Sequence, residues 1–371
     1  MNILILNWRD IKHPLAGGAE QMVFEHAKYW QKKGEKITWF ASSFKNAKNE
    51  EVIDGIKIIR KGNHFTVSIW AFIYSLRGKF KDALFVVDCF HFFPYFSVIY
   101  MRKTPKVALI QEVAGSLWFE NLLLPIAVIG FLLEPYIIRM YKNLYFITGS
   151  ESAKRDLVSL DIKREKVVVI NHGFNRGKIK IIRKEKNPTL IFLGRISKDK
   201  GIEDALMSVK FLLKEYPNLK LWIVGKSESK EYERKIKRKI MQLKINKNCE
   251  WFGFVTESKK NELLSRAFIL IHPSRREGWG INIIEANYLG TPAVGYSVAG
   301  LTDSIVHNKT GLLVEPDARS LANGVEKLLR NPKIYKKMSK NSRAWSEKFN
   351  WKDAGEKSFN LIQKIYGKKS Y

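Results

Sequence analysis

Short apolar runs, rich in isoleucine, valine and phenylalanine, recur along the first half of the chain with longer stretches of mixed polarity between them. Such alternation is typical of buried parallel strands connected by helices that cover both faces of one sheet. The pattern predicts strands at residues 3–6, 37–40, 84–87, 107–110, 144–148 and 167–170. The first half of the chain is therefore expected to be an α/β domain of the Rossmann-like type.

A polar, lysine-rich segment at residues 176–187, followed by Pro188, interrupts this pattern and is interpreted as a linker. A second series of apolar runs follows it, with charged helical stretches such as residues 231–243 between the runs. These runs predict strands at residues 189–193, 219–224, 250–254, 268–271, 292–296 and 311–314. Two doubly wound domains in tandem are the simplest account, and such sheets bind ligands beyond the carboxyl ends of their strands.

The last part of the chain, residues 344–371, places aromatic residues among charged ones: Trp345, Phe349, Trp351 and Phe359. This pattern predicts an amphipathic helix whose apolar face packs on another part of the protein. We therefore divide the chain into a first domain at residues 1–176, a second domain at residues 177–345 and a final helix at residues 346–371.

The composition shows that the chain is strongly basic. Its 371 residues include 65 Lys and Arg against 36 Asp and Glu, which gives a formal net charge of +29. Such an excess indicates an anionic partner, and the charge alone leaves open nucleic acid, an acidic membrane surface and phosphorylated small molecules. The two cysteines, Cys89 and Cys249, have no metal-ligand spacing, which favours a reducing, cytoplasmic location.

The sequence predicts neither a secretory signal nor a membrane-spanning helix. Residues 1–7 begin a strand pattern and lack the basic start and the small-residue cleavage site of a signal peptide. The most apolar stretch, residues 122–133, is interrupted by Pro125 and is shorter than the ~20 residues that cross a bilayer.

The strongest local motif directly follows a predicted strand of the second domain. A loop with Gly278 and Gly280 leads into a helix expected at residues 282–289, where free amides and the helix dipole suit a diphosphate or sugar hydroxyls. Glu277 and Glu285 can accept hydrogen bonds from different hydroxyls of one ligand. The alternative is that Glu277 is solvated and Glu285 is a surface charge.

A second motif combines Gly194 and Arg195 with Lys200 and Gly201, again between a predicted strand and a helix. Arg195 offers a planar fork of donors and Lys200 a compact charge. This pairing suits a diphosphate and the charge that develops on it as a leaving group. The alternative is an ordinary basic loop on a basic protein.

A pair of glycines, Gly17 and Gly18, follows the first predicted strand and precedes a helix expected to run to Trp30. Adjacent glycines allow the backbone to approach a ligand closely, although such pairs are also common in turns. The position at a strand end favours a role in binding.

Taken in order, these motifs resemble the retaining GT-B glycosyltransferases of family four, the group 1 type, over nearly the whole chain. The resemblance is carried by Gly17-Gly18-Ala19-Glu20, Asn171-His172-Gly173-Phe174, Gly194-Arg195 with Lys200-Gly201, and the segment from Glu277 to Glu285. It implies a GT-B fold, in which two Rossmann-like domains with parallel sheets face across a cleft. The first domain would bind the acceptor, and the final helix would cross back to it near Trp351.

The resemblance also implies a role for each motif, with the donor bound mainly by the second domain. Arg195 and Lys200 would hold the diphosphate, and Glu285 the ribose hydroxyls. Glu277 and the backbone after it would hold the transferred sugar, while the first glycine pair would face the phosphates. The expected donor-binding set is Gly17, Gly18, Gly194, Arg195, Lys200, Glu277, Gly278, Trp279, Gly280, Ile281 and Glu285, and the expected catalytic set is Glu277, Arg195, Lys200 and Glu112.

One position departs from the family pattern. After the predicted strand at residues 107–110, many relatives carry a histidine that contacts the transferred sugar, whereas this chain has Gln111 and Glu112. Gln111 can hydrogen-bond a sugar hydroxyl, and Glu112 is either a polar partner or acceptor base or part of a loop salt bridge. His91, flanked by phenylalanines, is either a cleft residue or a buried histidine.

Members of this family transfer a sugar from a nucleotide diphosphate with retention of anomeric configuration, usually without metal. The chain contains no Asp-x-Asp sequence, which in the alternative GT-A class holds Mn²⁺ or Mg²⁺ on the diphosphate. Neither a metal nor a separate cofactor is therefore expected, and Arg195, Lys200 and the helix dipole would replace the cation.

The expected acceptor is a glycan or a lipid-linked molecule. The apolar segment around Trp118 and residues 122–133, flanked by Arg139 and Lys142, resembles interfacial helices through which such enzymes reach lipid-linked acceptors. A buried core helix is the alternative. With the net charge, the segment favours a cytoplasmic enzyme that binds peripherally to an anionic membrane surface.

Other functions remain open on the sequence alone. An inverting GT-B transferase needs a dedicated base, for which Glu112 is the candidate, and a nucleotide-sugar epimerase is a further alternative. A non-enzymatic nucleic-acid binder would explain the charge. However, no helix-turn-helix, zinc-finger or RNA-recognition signature occurs, so no nucleic-acid partner is expected.

Overall fold

The apolar runs of the first half are strands of one eight-stranded sheet in the structure, a computed structural model that describes residues 1–91, 93–115, 117–121, 123–174, 176 and 182–367. The order across the sheet is β3-β4-β2-β1-β5-β6-β7-β8. The strands are β1 (Asn2–Leu6), β2 (Lys36–Ala41), β3 (Glu50–Ile53), β4 (Ile56–Arg60), β5 (Phe85–Cys89), β6 (Lys106–Leu109), β7 (Tyr145–Thr148) and β8 (Val167–Val169). All neighbours are parallel except β3 with β4.

The antiparallel pair of β3 and β4 is missing from the predicted strands, which were all parallel. Asp54 and Gly55 connect the two strands with φ of 47° and 80°, the left-handed conformation that two-residue hairpins require. Strand β3 lies at the edge of the sheet and alternates between exposed and half-buried residues, so it lacks the continuous apolar run of a central strand. In the sequence, the Asp54-Gly55 pair is the feature that indicates this hairpin.

Helices cover both faces of this sheet. Because side chains alternate along a strand, Ile3 and Val87 face one side and Leu4 and Val86 the other. The first side packs against α1 and α14, and the second against α2, α3 and α5. The helices of this unit are α1 (Gly18–Lys32), α2 (Val67–Leu76), α3 (Ser97–Tyr100), α4 (Leu117–Asn121), α5 (Leu124–Arg139), α6 (Glu151–Ser159) and the final α14 (Trp351–Gly367).

The second half of the chain forms a six-stranded parallel sheet in the order β11-β10-β9-β12-β13-β14, counted over the described residues. Its strands are β9 (Thr189–Leu193), β10 (Lys220–Val224), β11 (Cys249–Gly253), β12 (Ile269–His272), β13 (Ala293–Tyr296) and β14 (Gly311–Val314). Its helices are α7 (Ile202–Leu212), α8 (Lys230–Gln242), α9 (Glu257–Arg266), α10 (Ile281–Tyr288), α11 (Leu301–Ser304), α12 (Ala318–Arg330) and α13 (Pro332–Ser346).

The chain divides into two compact units. The first comprises Met1–Gly173 and Asn350–Tyr371, and the second Phe174–Phe349. The predicted domain limits, after residues 176 and 345, fall close to these limits. Within the predicted linker and final helix, residues 177–181 and 368–371 lie outside the described part of the chain. Among the helices that the structure describes, none is both long and apolar enough to cross a bilayer.

The final helix packs on α1 of the first unit, as the resemblance implies. The predicted amphipathic segment is two helices, because α13 ends at Ser346 and α14 begins at Trp351. The indole Nε1 of Trp30, which is fully buried in α1, donates a hydrogen bond of 2.9 Å to Ser358 Oγ of α14. This bond satisfies a donor that water cannot reach and fixes the two helices against each other.

Replacing Ser358 with alanine should lower the free energy of unfolding by ~1–3 kcal/mol, because the indole N–H of Trp30 then stays buried without an acceptor. Ser208→Ala is the matched control, since Ser208 is equally buried but donates to Ala205 O within its own helix. Urea unfolding of both variants measures the difference. Equal losses would show that the contact between the helices does not depend on this bond.

Candidate functional site

Two glycines bring the loops after β9, β10 and β12 into direct backbone contact at the carboxyl edge of the second sheet. A Cβ on Gly201 would lie 2.0 Å from Pro273 O, and one on Gly225 would lie 1.7 Å from Gly194 O. Both distances are far shorter than atoms allow, and both glycines have positive φ, at 71° and 145°. Only glycine fits such positions. The three loops can therefore lie close together at the carboxyl edge of the sheet, which is where doubly wound sheets bind their ligands.

A buried carboxylate anchors the two cations of the loop after β9. Asp199 accepts hydrogen bonds from Ser197 Oγ at 2.5 Å and from Arg195 Nη2 at 3.1 Å. The ammonium of Lys200 lies 3.7 Å from the same Asp199 oxygen as Arg195. Sequence reasoning missed Asp199 and Ser197, although an acid between two candidate cations of one loop was a signal for such an anchor.

Lys200 also reaches Glu277, which lies in the loop after β12. Its Nζ donates to Glu277 Oε1 at 2.8 Å, and His272 Nε2 lies 3.0 Å from the same oxygen. An ionised carboxylate only accepts hydrogen bonds, so the His272 ring carries a proton on Nε2. The Glu277 side chain is 16% exposed, which differs from the sequence alternative of a solvated glutamate.

The surroundings keep Glu277 ionised. Burial acts to raise the pKa of its carboxyl, but the charge of Lys200 and the hydrogen bond from His272 outweigh burial and hold the pKa well below its usual range. A depressed folded-state pKa stabilises the fold above the unfolded value of ~4.3, and this contribution is lost only as the pH falls through the folded value. The pair with Lys200 therefore persists at neutral pH.

The helix after this loop begins at Ile281, one residue before its predicted start at residue 282. Gly280 precedes it with φ of 82°, and Asn282 Nδ2 donates to Leu193 O at 2.9 Å, which ties the start of α10 to the end of β9. Trp279 is buried, with its ring 5.1 Å from that of Phe349. The Trp279 side chain is thus part of the core of the second unit.

Glu285 lies inside the protein and not on the helix surface. Lys260 Nζ of α9 donates to its Oε1 at 2.8 Å, while its Oε2 accepts no hydrogen bond from the residues that the structure describes. Burial raises the pKa of Glu285, and the adjacent Lys260 opposes that rise. One carboxylate oxygen is thus paired, and the other is an acceptor suited to a hydroxyl group. No described hydrogen bond or ion pair joins Glu285 to Glu277.

In the first unit, the glycine pair forms the start of α1, which begins at Gly18. The amide of Gly17 donates to Glu20 Oε2 at 2.7 Å, and Glu20 is buried. The Gly17 N–H is therefore already bonded within the helix cap. Any approach of a ligand to this turn relies on the other amides of the first turn of α1.

His91, Gln111 and Glu112 line one cavity of about 110 Å³, called here the first-unit cavity, whereas Gly17 and Gly18 are not among its lining residues. Its lining includes Glu20, Phe90, His91, Gln111, Glu112 and Leu117. The sequence analysis considered His91 apart from Gln111 and Glu112, because they follow different strands. The parallel sheet brings them together at its carboxyl edge.

Two of the cavity residues are held by neighbours within the first unit. Gln111 Oε1 accepts from His172 Nε2 at 2.8 Å, and Gln111 Nε2 lies 2.8 Å from Met22 Sδ. Burial lowers the pKa of His172 to about 4, so this histidine is neutral at pH 7. The ring of His91 stacks on Trp8 at 3.6 Å between centroids. Gln111 is therefore oriented by its neighbours, and His91 lies in the lining.

Two family models match the chain. The model for glycosyltransferase family 4 matches residues 16–178, and the model for glycosyl transferases group 1 matches residues 175–345. Among curated proteins, an uncharacterized glycosyltransferase of Methanocaldococcus jannaschii is 28% identical over 240 residues, 60% of each chain. The capsular polysaccharide biosynthesis glycosyltransferase CapM of Staphylococcus aureus is 28% identical over 56% of this chain and 57% of its own length. The chain thus aligns with little more than half of these relatives.

Solved structures match over nearly the full length. A sucrose-phosphate synthase of Thermosynechococcus elongatus gives a TM-score of 0.82 at 17% identity, covering 99% of both chains. HepE of Anabaena, in complex with UDP and glucose, gives 0.76 at 15% identity over 98% of this chain and 100% of its own. At such identities the likeness establishes the fold, which is the GT-B arrangement of two parallel-sheet α/β domains.

Proposed function

This chain belongs to the group 1 glycosyltransferases of family four, and from that premise we propose that it transfers a hexose from a nucleotide-diphosphate sugar to a glycan or lipid-linked acceptor, with retention of anomeric configuration. The observation that carries the proposal is the cluster in which Asp199 and Glu277 hold Lys200 and Arg195 at one sheet edge. A structural neighbour solved with UDP and glucose supports this class of donor.

Arg195 and Lys200 bind the diphosphate in this proposal. The Arg195 side chain is 47% exposed, so its guanidinium can reach a ligand while Asp199 orients it. Cations fixed before the reaction stabilise the charge of the departing diphosphate without any cost of reorganisation. They do the work that a divalent ion does in metal-dependent transferases.

Glu277 binds the transferred sugar. Its oxygens can accept several hydrogen bonds, and the contacts from Lys200 and His272 both fall on Oε1. The second oxygen is the natural acceptor for a sugar hydroxyl. Because Lys200 contacts this carboxylate and binds the diphosphate, one ammonium sets the distance between the sugar and the leaving group.

In the proposed chemical step, the acceptor attacks the donor sugar from its front face. The acceptor oxygen forms its bond to the anomeric carbon on the face that the diphosphate leaves, as the bond between that carbon and the phosphate oxygen breaks. The acceptor proton passes to the departing phosphate, so the products are a nucleoside diphosphate and an α- or β-glycoside of unchanged configuration. In this proposal the acceptor binds at the first-unit cavity, and Glu112 is a polar partner of the acceptor hydroxyl.

Glu285 binds the ribose hydroxyls through its second carboxylate oxygen. Glu285→Gln should weaken nucleoside diphosphate binding ~10-fold or more, because a hydrogen bond to a charged group contributes ~1.5–3 kcal/mol. Glu257→Gln is a close control, since Glu257 pairs with the same Lys260 but is 72% exposed. Calorimetric titration should show the loss only for Glu285→Gln. Equal affinities in both variants would remove Glu285 from the donor site.

A screen of UDP, GDP and ADP sugars by thermal shift tests the proposed donor class. The stabilising sugar is then incubated with candidate glycan and lipid-linked acceptors, and proton NMR of the product gives the anomeric configuration. Retention is the expected result. An inverted product would point to Glu112 as an acceptor base, and a changed sugar without transfer would indicate an epimerase.

A further inference from the structure

Two nearly buried side chains in the wall of the first-unit cavity have hydrogen-bonding atoms that the protein itself does not use. Asn7 is 5% exposed, and its side-chain amide makes no hydrogen bond with any residue that the structure describes. Glu20 is 3% exposed, and its Oε2 accepts from Gly17 N, whereas its Oε1 accepts nothing from the described part of the chain. Buried polar groups in proteins are nearly all hydrogen-bonded, so these two side chains indicate a ligand in the cavity.

The fold holds both side chains in place without a ligand. Asn7 directly follows β1, and its backbone N–H donates to Phe40 O of the neighbouring strand at 3.1 Å. Glu20 is the third residue of α1, and the hydrogen bond from Gly17 N at 2.7 Å fixes its carboxylate at the start of that helix. A ligand that meets groups already in position loses less free energy to ordering the site.

The wall of the cavity is acidic, although the protein is strongly basic. Glu20 and Glu112 contribute two carboxylates, and none of the described lining residues is a lysine or an arginine. The chain as a whole has a formal net charge of +29. An ionised carboxylate accepts hydrogen bonds and donates none. This wall therefore favours a ligand that donates hydrogen bonds, and it repels an anion.

The Trp8 ring separates a neighbouring cation from the cavity wall. The Arg9 guanidinium lies 3.7 Å from the centre of the Trp8 ring, and the centre of the His91 ring lies 3.6 Å from it. Two groups so close to one ring must lie on opposite faces of it. His91 lines the cavity, whereas Arg9 donates to Leu15 O at 2.8 Å. The charge of Arg9 is thus beyond the Trp8 ring, and it does not offset the carboxylates in the wall.

The size and the apolar part of the wall suit one edge of a sugar ring. A water molecule takes up about 30 Å³ of the liquid, so a cavity of about 110 Å³ holds only a few groups of that size. Phe90, Leu109 and Leu117 line it beside the polar residues. Binding sites commonly combine such an apolar lining with a few placed polar groups. A sugar matches this combination, because its C–H groups alternate with hydroxyls.

We propose that the group that enters the first-unit cavity is a hydroxyl-bearing edge of a sugar without phosphate or carboxylate, and that Asn7 and Glu20 select it. Glu20 Oε1 and Asn7 Oδ1 accept from hydroxyls, and Asn7 Nδ2 donates to a hydroxyl oxygen. The charge of Glu20 acts against anionic ligands. The role of this sugar as the acceptor rests on the proposed function, but its binding requires neither a donor nor transfer.

Saturation-transfer NMR without nucleotide tests this selection. The probes are glucose, mannose and galactose, each compared with its 6-phosphate and its uronate. All measurements use the chain with Arg195→Ala/Lys200→Ala, so that charged sugars cannot bind to these two cations. At least one neutral sugar should bind, and its charged forms should bind at least ~10-fold more weakly, because each brings a negative charge close to Glu20.

Glu20→Gln, added to that chain, separates the charge of this residue from its structural role. Glutamine retains an oxygen for the hydrogen bond from Gly17 but carries no charge, so the preference for the neutral sugar over its uronate should fall at least ~5-fold. Glu25→Gln is the matched control. Glu25 lies on the same helix, pairs with Lys28 at 3.1 Å and is not among the lining residues, so this variant should keep the preference.

Asn7→Ala tests the second selecting residue. The loss of its hydrogen bonds should weaken binding of the neutral sugar ~3- to 10-fold. The melting temperature should not fall, because the amide has no partner in the described protein to lose. An unchanged affinity for the sugar, or a loss of affinity that only follows a loss of stability, would remove Asn7 from the site.

Equal affinities for neutral and charged sugars, an unchanged preference in Glu20→Gln, or binding of none of the neutral sugars would overturn the proposal. Transfer to an acceptor whose bound sugar carries a phosphate or a carboxylate would also overturn it, but would leave the proposed function intact. Selective binding of a neutral sugar that no donor glycosylates would support the selection by Glu20 and contradict the proposed function.

Discussion

Replacing Lys200 with alanine is expected to lower the rate of transfer ~10²- to 10³-fold, the usual loss when one preorganised stabiliser of developing charge is removed. Lys200 donates to Glu277 at 2.8 Å and in our proposal also binds the diphosphate. Its loss therefore affects both the sugar and the leaving group. The rate is measured as nucleoside diphosphate released at saturating donor.

Lys198→Ala serves as the control, because Lys198 carries the same charge in the same loop with its side chain exposed. A comparable loss of rate in both variants would mean that the general charge of the loop matters and the position of Lys200 does not. Lys200→Ala should also change how the activity depends on pH. Without Lys200, burial pushes the pKa of Glu277 upward, so activity of Lys200→Ala should fall further as the pH is lowered, while the wild type shows no such decline from Glu277.

Gly300→Ala is expected to reduce transfer ~100-fold, although Gly300 carries no chemistry. Its φ is 79°, and a Cβ at this position would lie 1.9 Å from Glu277 O. An added methyl group must therefore move the backbone of Glu277 and with it the carboxylate that Lys200 holds. Misplacement of a positioning group by about 1 Å is enough for a loss of this size.

Gly253→Ala isolates the effect of backbone strain. Gly253 also has a positive φ, of 65°, but the nearest atom to an added Cβ is 4.0 Å away. Both variants should lose ~1–2 kcal/mol of stability from the left-handed conformation, and only Gly300→Ala should also lose activity. Full activity in Gly300→Ala, measured well below its melting temperature, would show that the loop tolerates displacement of Glu277.

The strands were predictable because a parallel sheet buried on both faces requires continuous apolar runs, which stand out in a sequence. Strands β9 and β14 coincide with their predicted limits, residues 189–193 and 311–314. The edge hairpin was missed because an edge strand has no need of such a run. Its Asp54-Gly55 turn was the only legible sign.

The site was predictable only as a set of loops at strand ends. Lys200 and Glu277 are 77 positions apart, and the order of β9 and β12 in the sheet brings them together. No pattern in the sequence gives that order. For the same reason Lys260 as the partner of Glu285 was found only in the structure. Asp199 was missed for a different reason, because it lies in the same loop as Arg195 and Lys200 and its position between them was a signal in the sequence.

The apolar segment at residues 122–133 allowed two interpretations, an interfacial helix or a buried core helix. The structure contradicts the second, because Leu124, Ile129 and Leu132 of α5 are each more than half exposed. Burial of a helix depends on what packs over it. The hydrophobicity of its own residues therefore could not decide between the two.

Isothermal titration calorimetry of nucleoside diphosphates against the wild type and the double variant Arg195→Ala/Lys200→Ala tests the central claim most directly. The wild type should bind at least one of UDP, GDP and ADP, and the double variant should bind it at least ~100-fold more weakly, since two charge-assisted contacts to the phosphates are lost. Absence of binding to the wild type, or equal affinity in the double variant, would contradict the assignment of these cations to the diphosphate.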